Sequence, residues 1–505
     1  MTGARAVSAA RLELRHLWLA LPVFAVVLKG FLFPLPLLDF WWHLKLGEII
    51  ATERSLPRTD IFSFTAAGQP FIVQGWLAEL IYYATYRAGG LPLIILLNTM
   101  LLVGALLPVY QLCRETGAST RVSAFAAWIA ALGLFANTRP QVFSFPLFAL
   151  FFWVLWRYRV GRRDLLWLLP PLMVLWVNLH GAFVLGLGLV ALFAVSEAVH
   201  RAWLPSAAAL SSAQLRKLSV VAALCGAATL VNPELHRVYS YVHSVMADPS
   251  SQQLVVEWQP PRIDSLAGVL LFYGPLFFTI LVLIHSERKP DLTEIAILLT
   301  FAVLGLKSTR NTVWFDLVVP VLAARYLPSV TWRLGPAPFA SLLRHGSKGR
   351  PGGSPRMNLL VAAMALGVVV LTSPWVYPRV YGTSLLESGT PIGAMDFIAE
   401  KRLTGNIFHP QAYGDYLIWR LWPQQRSFFD GRVHVFGAPL VRYYRQVFLD
   451  SHWEEMLAKY DIRYLLLDKR SDGDTARIIG DARRSTRWRL LYEDDLSVLF
   501  ERVAR

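Results

Sequence analysis

The stretch Leu17–Ile50, LWLALPVFAVVLKGFLFPLPLLDFWWHLKLGEII, decides which fold we predict. Between residues 17 and 38 the only charged side chain is Lys29, and an apolar run of this length is typical of a helix that crosses a membrane. It is too long for the apolar core of a signal peptide and no small-residue cleavage pattern follows it, so we expect it to be retained. The run ends at Asp39, and segment 40–53 then places apolar and polar residues at helical spacing. That spacing predicts an amphipathic helix lying on the membrane surface.

The composition of the whole chain favours the same class. The chain has 505 residues, 55% hydrophobic and 16% charged, with a mean hydropathy of +0.43. A soluble protein carries about a quarter charged residues, so a disordered chain, a fibre and an ordinary cytosolic enzyme are excluded. Further candidate spans are Leu91–Cys113, Ser119–Ala136, Phe143–Trp156, Leu165–Val177, Phe183–Val199, Leu218–Val231, Leu266–Ile284, Leu292–Leu306, Val313–Leu327 and Leu359–Val376. We predict an α-helical polytopic membrane protein with about 11 transmembrane helices.

The distribution of charge predicts the orientation. The chain has 49 Lys and Arg against 34 Asp and Glu, a net charge of +15. With the N-terminus in the cytoplasm, cytoplasmic loops hold roughly twice as many basic residues as the opposite loops before the last span, as the positive-inside rule requires. An odd number of spans then puts the C-terminus outside. Topology explains the basic excess, so we predict no nucleic-acid partner.

Two domains follow from these spans. Residues 1–378 form the transmembrane domain, whose first outer loop, 39–90, holds two interfacial helices. The second of them, 74–88, is short and contains Glu79; if it crossed the membrane, the basic run at 157–163 would fall outside. A basic, Gly/Pro/Ser-rich cytoplasmic linker, 329–356, precedes the last span.

Residues 379–505 differ in pattern and predict a small extracytoplasmic α/β domain. The strand-like runs are GNIFHP, RSFFDGR, IRYLLLDK, WRLLYE and SVLFERV, and the helical ones are 392–400, 439–448 and 453–460.

Polar residues gather at the predicted outer ends of the helices, whereas the cytoplasmic loops hold bases and little else. The set comprises Asp39, His43, Asp60, Arg139, Asn178, His180, His236, Glu257, Lys307 and Arg310. Polar groups at the ends of apolar helices cost free energy unless they are paired or hydrated. Their grouping at one face of the membrane therefore predicts a site there.

Each of these residues also has a simpler interpretation. Asp39 is a common helix-capping type, and single histidines suit interfacial hydrogen bonds. Arg139 and Arg310 suit contacts with lipid phosphates, and Glu257 suits a local pair with Arg262. None of these interpretations explains why all the residues lie on one side.

Several motifs carry a resemblance to a known class. They are LLDFWWHLKLGEII, LPRTDIFSFTAAGQPF, GWLAELIYY, NTRPQVFSF, WVNLHGAF, VNPELHR, STRN, YGDYLIWRLW and FFDGR. Their order and spacing resemble a bacterial group of membrane proteins similar to the GT-C class of integral-membrane glycosyltransferases. That class includes protein mannosyltransferases, aminoarabinose transferases and oligosaccharyltransferase catalytic subunits. The resemblance covers nearly the whole chain and implies a location in the inner (plasma) membrane.

The resemblance implies transfer of a sugar from a polyprenyl-phosphate-linked donor to a hydroxyl on a lipid, glycan or protein acceptor. A carboxylate then takes the acceptor proton, and fixed cations stabilise the leaving phosphate. Asp39 is implied as the base. The usual acidic pair of the first loop is replaced here by Asp39 followed by Phe-Trp-Trp-His, so either Asp60 or Glu257 is the second acid. The implied substrate- and phosphate-binding residues are His43, Arg139, Asn178, His180, His236, Lys307 and Arg310.

The C-terminal domain holds further candidates in its YGDY and DGR motifs. Asp415, Asp430 and Arg432 are interpreted as acceptor-binding residues or parts of a lid. Alternatively, the DGR sequence is only a tight turn in which Asp430 caps its own backbone.

No metal-ligand motif occurs, and a divalent cation near Asp39 stays an open alternative. Two other functions compete with glycosyl transfer. A transporter or flippase of lipid-linked sugars is disfavoured because no internal repeat is evident. The other is a non-catalytic membrane assembly protein whose outer domain binds partners.

Overall fold

A computed structural model describes residues 12–203, 209–249, 252, 256–330, 354–450, 452–471 and 473–503. Most of the predicted cytoplasmic linker, 331–353, lies outside these described residues. The helices in the first part of the chain are α1 (Leu14–Leu32), α2 (Phe40–Glu53), α3 (Trp76–Glu115), α4 (Thr120–Gly133), α5 (Ser144–Arg159), α6 (Leu169–Leu179), α7 (Phe183–Trp203), α8 (Ser212–Ala228), α9 (Arg237–Ala247), α10 (Leu266–His285), α11 (Leu292–Lys307), α12 (Thr312–Tyr326) and α13 (Pro355–Leu371).

Each predicted span overlaps one of these helices, so the prediction of an α-helical polytopic membrane protein is confirmed. Among the described residues, five helices are long and apolar enough to cross a membrane: α1, α3, α5 with its preceding turn, α7 and α10. Shorter apolar helices cover Thr120–Gly133, Leu166–Leu179 and Pro355–Leu371. The number of crossings stays a prediction. Helix α12 lies at the centre, because every side chain from Thr312 to Ala324 is buried.

The first outer loop differs from the prediction in one respect. The interfacial helix predicted at 74–88 and the next span form one element, α3, bent at Gly89 and Gly90. Gly90 has φ +66°, a conformation that glycine adopts without strain. Helix α2 packs against α3 at Gly47, where an added Cβ would lie 2.1 Å from the Glu79 carbonyl oxygen. This contact fixes α2 across the end of the helical domain.

The apolar run predicts that the first helix ends at Asp39, and this prediction is wrong. Helix α1 ends at Leu32, and Asp39 precedes α2 with φ +70°. Its side chain makes no capping hydrogen bond to α2, so the capping interpretation is wrong. A non-glycine residue in this backbone region needs support from its surroundings.

The C-terminal domain has the predicted α/β class. Its strands β1 (Asn406–Phe408), β2 (Ile462–Asp468), β3 (Trp488–Glu493) and β4 (Ser497–Arg502) form one sheet in the order β1-β2-β4-β3. Strands β1 and β2 are parallel, and the other pairs are antiparallel. The helices are α14 (Tyr377–Tyr381), α15 (Ile392–Glu400), α16 (Gln411–Leu421), α17 (Val433–Leu449), α18 (Trp453–Ala458) and α19 (Asp474–Arg484). The strand predicted at RSFFDGR is wrong, since 426–432 is an irregular segment, and the sequence did not predict α16 and α19.

The C-terminal domain packs directly on the first outer loop. The rings of Trp41 in α2 and Tyr416 in α16 lie edge to face, 4.9 Å apart. Backbone hydrogen bonds join Ser427 to Phe62 and Phe64. The two segments therefore form one surface above the ends of the helices.

Candidate active site

A cavity of about 230 Å³ lies between the helical domain and the C-terminal domain. Its charged and polar lining comes from segments far apart in the sequence: Asp39, His43, Gln74, Glu79, Arg139, Gln141, His180, Tyr241, Glu257, Arg310, Gln411, Arg432 and His434. Asp39, His43, Arg139, His180, Glu257, Arg310 and Arg432 are among the residues predicted from the sequence. Asp60, Asn178, His236, Lys307, Asp415 and Asp430 do not line this cavity.

Arg139 joins two carboxylates of the cavity, those of Asp39 and Glu257. Its Nη1 lies 3.1 Å from Asp39 Oδ2 and 3.1 Å from Glu257 Oε1, and its Nη2 lies 2.6 Å from Glu257 Oε2. Arg310 Nη1 is 3.3 Å from Glu257 Oε1. The predicted local pair of Glu257 with Arg262 is wrong, because Arg262 instead pairs with Asp264.

Short loop segments hold these charges in place. Arg139 has extended backbone just before a 3₁₀ turn that begins at Pro140, and its carbonyl accepts a hydrogen bond from Tyr82 Oη. The Glu257 carbonyl accepts a hydrogen bond from Ser308 Oγ. The guanidinium of Arg310 lies over the Trp258 ring, 5.2 Å from its centroid, a favourable cation–π distance.

The electrostatic environment shifts the pKa values of Asp39 and Glu257 in opposite directions. Burial raises the pKa of Asp39, opposed by the positive charges of Arg139 and Arg310. Burial acts in the same direction on Glu257, but the guanidinium groups of Arg139 and Arg310 outweigh it and lower its pKa. Glu257 therefore stays ionised as the partner of both arginines, while Asp39 is the carboxylate with higher proton affinity.

Two histidines of the cavity are neutral at neutral pH. Burial, followed by the charges of Arg310 and Arg139, lowers the pKa of His180 to about 3. Its Nδ1 accepts the Ala182 backbone N–H at 3.1 Å, so the proton lies on Nε2 and that atom is a neutral donor. The pKa of His43 lies well below its usual value, mainly because of burial.

His43 has a partner that sequence analysis did not select. Its Nδ1 is 2.9 Å from Oε1 of Glu79, whose Oε2 is buried and has no hydrogen-bond partner within the described residues. The sequence predicts Glu79 only as part of an interfacial helix, without a role in the site. Tyr241 and His434 were also missed, and the signal available for Glu79 was its position as the single acid in an apolar helix.

Asp415 contacts Asp39 through the backbone. The backbone N–H of Asp39 donates to Asp415 Oδ2 at 2.5 Å, and that of Gly431 donates to Asp415 Oδ1 at 2.8 Å. Asp415 is completely buried. The YGDY and DGR motifs therefore pack on each other beside Asp39.

Asp60 lies away from the cavity in a buried ion-pair network. Arg432 Nη1 donates to Asp60 Oδ1 at 2.6 Å, and its Nη2 and Nε donate to Asp430 at 2.7 and 2.9 Å. All three side chains are 0% exposed. The network connects the first outer loop to the DGR motif, and Asp430 also accepts the backbone N–H of Arg432, as the tight-turn interpretation expects.

Three other predicted residues lie outside the first cavity. Asn178 accepts a hydrogen bond from Trp76 Nε1 at 2.7 Å and donates to two backbone carbonyls. His236 is exposed and lines no described cavity. Lys307 lines a second cavity of about 420 Å³, which shares His180 and Arg310 with the first. The second cavity shares its apolar wall with a groove of about 360 Å³ between α7 and α11.

The arrangement of donors does not fit a divalent cation. The Arg139 guanidinium fills the space between Asp39 and Glu257. Among the described residues, no group of three or more His, Cys, Asp and Glu side chains is able to hold a metal ion. A cation between the two carboxylates would have to displace Arg139.

No family model and no curated protein matches the sequence. Solved structures are similar. The archaeal oligosaccharyltransferase AglB from Archaeoglobus fulgidus is 13% identical over 90% of this chain and 69% of its own, with a TM-score of 0.56. ArnT from Cupriavidus metallidurans is 13% identical over 97% of both chains, with a TM-score of 0.53. The mycobacterial arabinofuranosyltransferase AftD is 13% identical over 98% of this chain and 41% of its own, with a TM-score of 0.50. These similarities confirm the fold that the sequence motifs predict: the chain has the fold of the GT-C glycosyltransferases.

Proposed function

We propose that the protein is an inverting membrane glycosyltransferase that moves a sugar from a polyprenyl-phosphate-linked donor to an acceptor hydroxyl. The observation that carries this proposal is the cavity in which Asp39, a carboxylate with raised pKa, faces Arg139 and Arg310. By the distribution of basic loops, this cavity lies on the extracytoplasmic side of the inner membrane. One of the similar structures, AglB, is a complex with an inhibitory peptide and a dolichol-phosphate, which supports a lipid-phosphate ligand for this fold.

Asp39 is the general base in the proposed reaction. The acceptor oxygen attacks the anomeric carbon of the donor while its proton moves to the Asp39 carboxylate. The new bond joins the anomeric carbon to the acceptor oxygen, and the bond to the phosphate oxygen breaks on the opposite face of the sugar. A raised pKa suits this role, because a base accepts a proton best when its pKa approaches the working pH.

Arg310 and Arg139 stabilise the leaving polyprenyl phosphate. The phosphate gains negative charge as the bond breaks, and fixed guanidinium groups offer paired N–H donors to its oxygens. The His180 Nε2–H adds a neutral donor in the same cavity. Glu257 holds the two arginines side by side against their mutual repulsion, and Lys307 attracts the phosphate from the neighbouring cavity.

The apolar cavities suit the lipid part of the donor. From Arg310 the second cavity continues past Val184 and Leu304 to the groove between α7 and α11, whose lining includes Gly188 and Leu192. An apolar groove that opens from a cationic cavity fits a phosphate with a long hydrocarbon chain. The substrate is therefore held by its head group in the cavity and by its chain along the helices.

A transfer assay with the purified full chain in proteoliposomes tests the proposal. The donor is a polyprenyl-phosphate carrying a labelled sugar, and lipid, glycan and protein acceptors are offered separately. We expect labelled product with one acceptor class, and a loss of about 10²–10⁴-fold in rate for Asp39→Asn. Wild-type protein that transfers no sugar but moves the labelled donor across the bilayer would support the transporter instead.

A further inference from the structure

Asp39 has an unusual backbone conformation that is stabilised from the C-terminal domain. Its φ of +70° lies in a region that residues with a side chain rarely occupy. The N–H of this strained residue donates to Asp415 Oδ2 at 2.5 Å. Asp415 belongs to helix α16, 376 residues further along the chain. The conformation of Asp39 thus depends on a side chain outside the helical domain.

Gly431 leaves the space in which the two acids approach each other. A Cβ at this position would lie 2.9 Å from Asp39 Oδ1 and 2.7 Å from Asp415 Oδ2. Both carboxyl groups therefore face the same point, and any side chain there would push one of them away. The Gly431 N–H donates to Asp415 Oδ1, so both oxygens of Asp415 are held by backbone donors.

The other acids do not contact Asp39 in this way. Glu257 reaches it only through the guanidinium of Arg139. Asp60 and Asp430 are both bound to Arg432. Among the described residues, Asp415 is the carboxyl group that accepts a hydrogen bond from the Asp39 backbone N–H.

We propose that Asp415 is the second acid of the site, a positioning residue that holds the Asp39 carboxylate at the cavity through the Asp39 N–H and the space left by Gly431. This inference rests on the proposed function and assigns the second acid to neither Asp60 nor Glu257. Asp415 does not line the cavity, so it acts on Asp39 and not on the substrate.

The distribution of charge supports this division of roles. Burial, followed by the nearby carboxylates of Asp430 and Asp39, raises the pKa of Asp415 well above its usual range. Of the two acids, Asp39 is the one that is partly exposed at the cavity, so Asp39 meets the acceptor while Asp415 supports it from behind.

The test compares steady-state kinetics of full-length variants in proteoliposomes. Asp415→Asn keeps one acceptor oxygen where Asp415 has two, so Asp39 loses part of its support. We expect kcat to fall about 10²-fold, the loss typical of a displaced catalytic group, with donor KM within about twofold of wild type. The matched control is Asp396→Asn, which changes a half-exposed acid of the same domain paired with Arg420 and is expected to leave both constants unchanged.

A double variant distinguishes action through Asp39 from a separate effect. In an Asp39→Asn background, adding Asp415→Asn is expected to cause no further loss of rate, because the positioned group is already gone. An additive loss in the double variant, or wild-type kcat in Asp415→Asn, would overturn the inference. A raised donor KM with unchanged kcat would overturn it as well.

Gly431→Ala provides a second route that keeps every hydrogen-bonding group. Its methyl group occupies the point faced by both acids, and we expect the same fall in kcat. This variant decides the matter if Asp415→Asn does not fold, as judged by size-exclusion and thermal unfolding. An inactive wild type would overturn the proposed function itself, whereas active wild type, inactive Asp39→Asn and fully active Asp415→Asn and Gly431→Ala would overturn only the role of Asp415.

Discussion

Replacing Arg432 with methionine is expected to separate the first outer loop from the C-terminal domain. Arg432 makes three charge-assisted hydrogen bonds to Asp60 and Asp430, and its guanidinium lies 5.0 Å from the ring centroid of Phe62 and 5.3 Å from that of Phe71. Methionine retains much of the apolar volume and removes the charge. The two buried carboxylates then lose their shared cation.

The size of the expected destabilisation depends on the hydrogen bonds that the Asp60 and Asp430 carboxylates retain. Charge-assisted bonds contribute about 1.5–3 kcal/mol each, but Asp60 retains donors from Phe62 N–H and Ser63 N–H, and Asp430 retains Ser427 Oγ. We therefore expect the contact between the two segments to be destabilised by about 3–5 kcal/mol, the usual result of removing one partner from a buried ion pair. At 1.4 kcal/mol per tenfold, opening of the contact becomes about 10²–10⁴-fold more frequent.

Hydrogen exchange of the full-length protein in nanodiscs measures this opening. The amides of Phe64 and Ser427 are reporters, because Phe64 N–H donates to the Ser427 carbonyl and Ser427 N–H donates to the Phe62 carbonyl across the contact. Arg420→Met is the matched control, since that arginine is in a half-exposed ion pair whose loss is worth at most about 1 kcal/mol. Unchanged exchange of both reporters in Arg432→Met would refute the reasoning.

Three further predictions concern the site and its support. Arg310→Gln is expected to lower kcat about 10²–10³-fold. Lys307 lies outside the first cavity, so Lys307→Gln is expected mainly to raise donor KM. Equal kinetic constants for the two variants would contradict this division of roles. Arg139→Gln is expected to move the acid limb of the kcat/KM profile to higher pH. The reason is that Arg139 lowers the pKa of Asp39, and the base is active only above that pKa. A shift to lower pH would contradict the assignment of Asp39 as the base. Gly47→Ala places a methyl group against the backbone of the facing helix and is expected to destabilise the protein by about 1–3 kcal/mol, measured as loss of thermal stability in detergent.

The sequence is sufficient to predict the apolar spans and part of the site. Long apolar runs with polar ends identify the predicted spans, because a membrane leaves few alternatives for such segments. The same ends supplied Asp39, Arg139, Glu257 and Arg310, which the structure brings into one cavity. Residues at predicted helix ends on one side of a membrane lie in one layer, which brought these four into the candidate set together with Asn178 and His236, which do not line the cavity.

The contribution of the C-terminal domain was not predictable in the same way. The sequence does not predict helix α16, because glycine and polar residues interrupt its apolar pattern. The apolar RSFF of RSFFDGR predicts a strand, but the end of this segment forms a turn held by buried ion pairs. The contact of Asp415 with Asp39 depends on how two distant segments fold together. Periodicity reports only which face of a segment is apolar, so it gives no information about such a contact.

The hydrogen bond between Asp39 and Asp415 also has a consequence in time. The two residues are 376 positions apart, so at about 5–20 residues per second a ribosome needs roughly 20–75 s to travel from one codon to the other. During that interval the first helices are already in the membrane, but Asp39 lacks the group that fixes its backbone. On the proposed function, the chain is therefore expected to stay inactive until its last part has been made and folded, and a chain that terminates early is expected to leave no working transferase in the membrane.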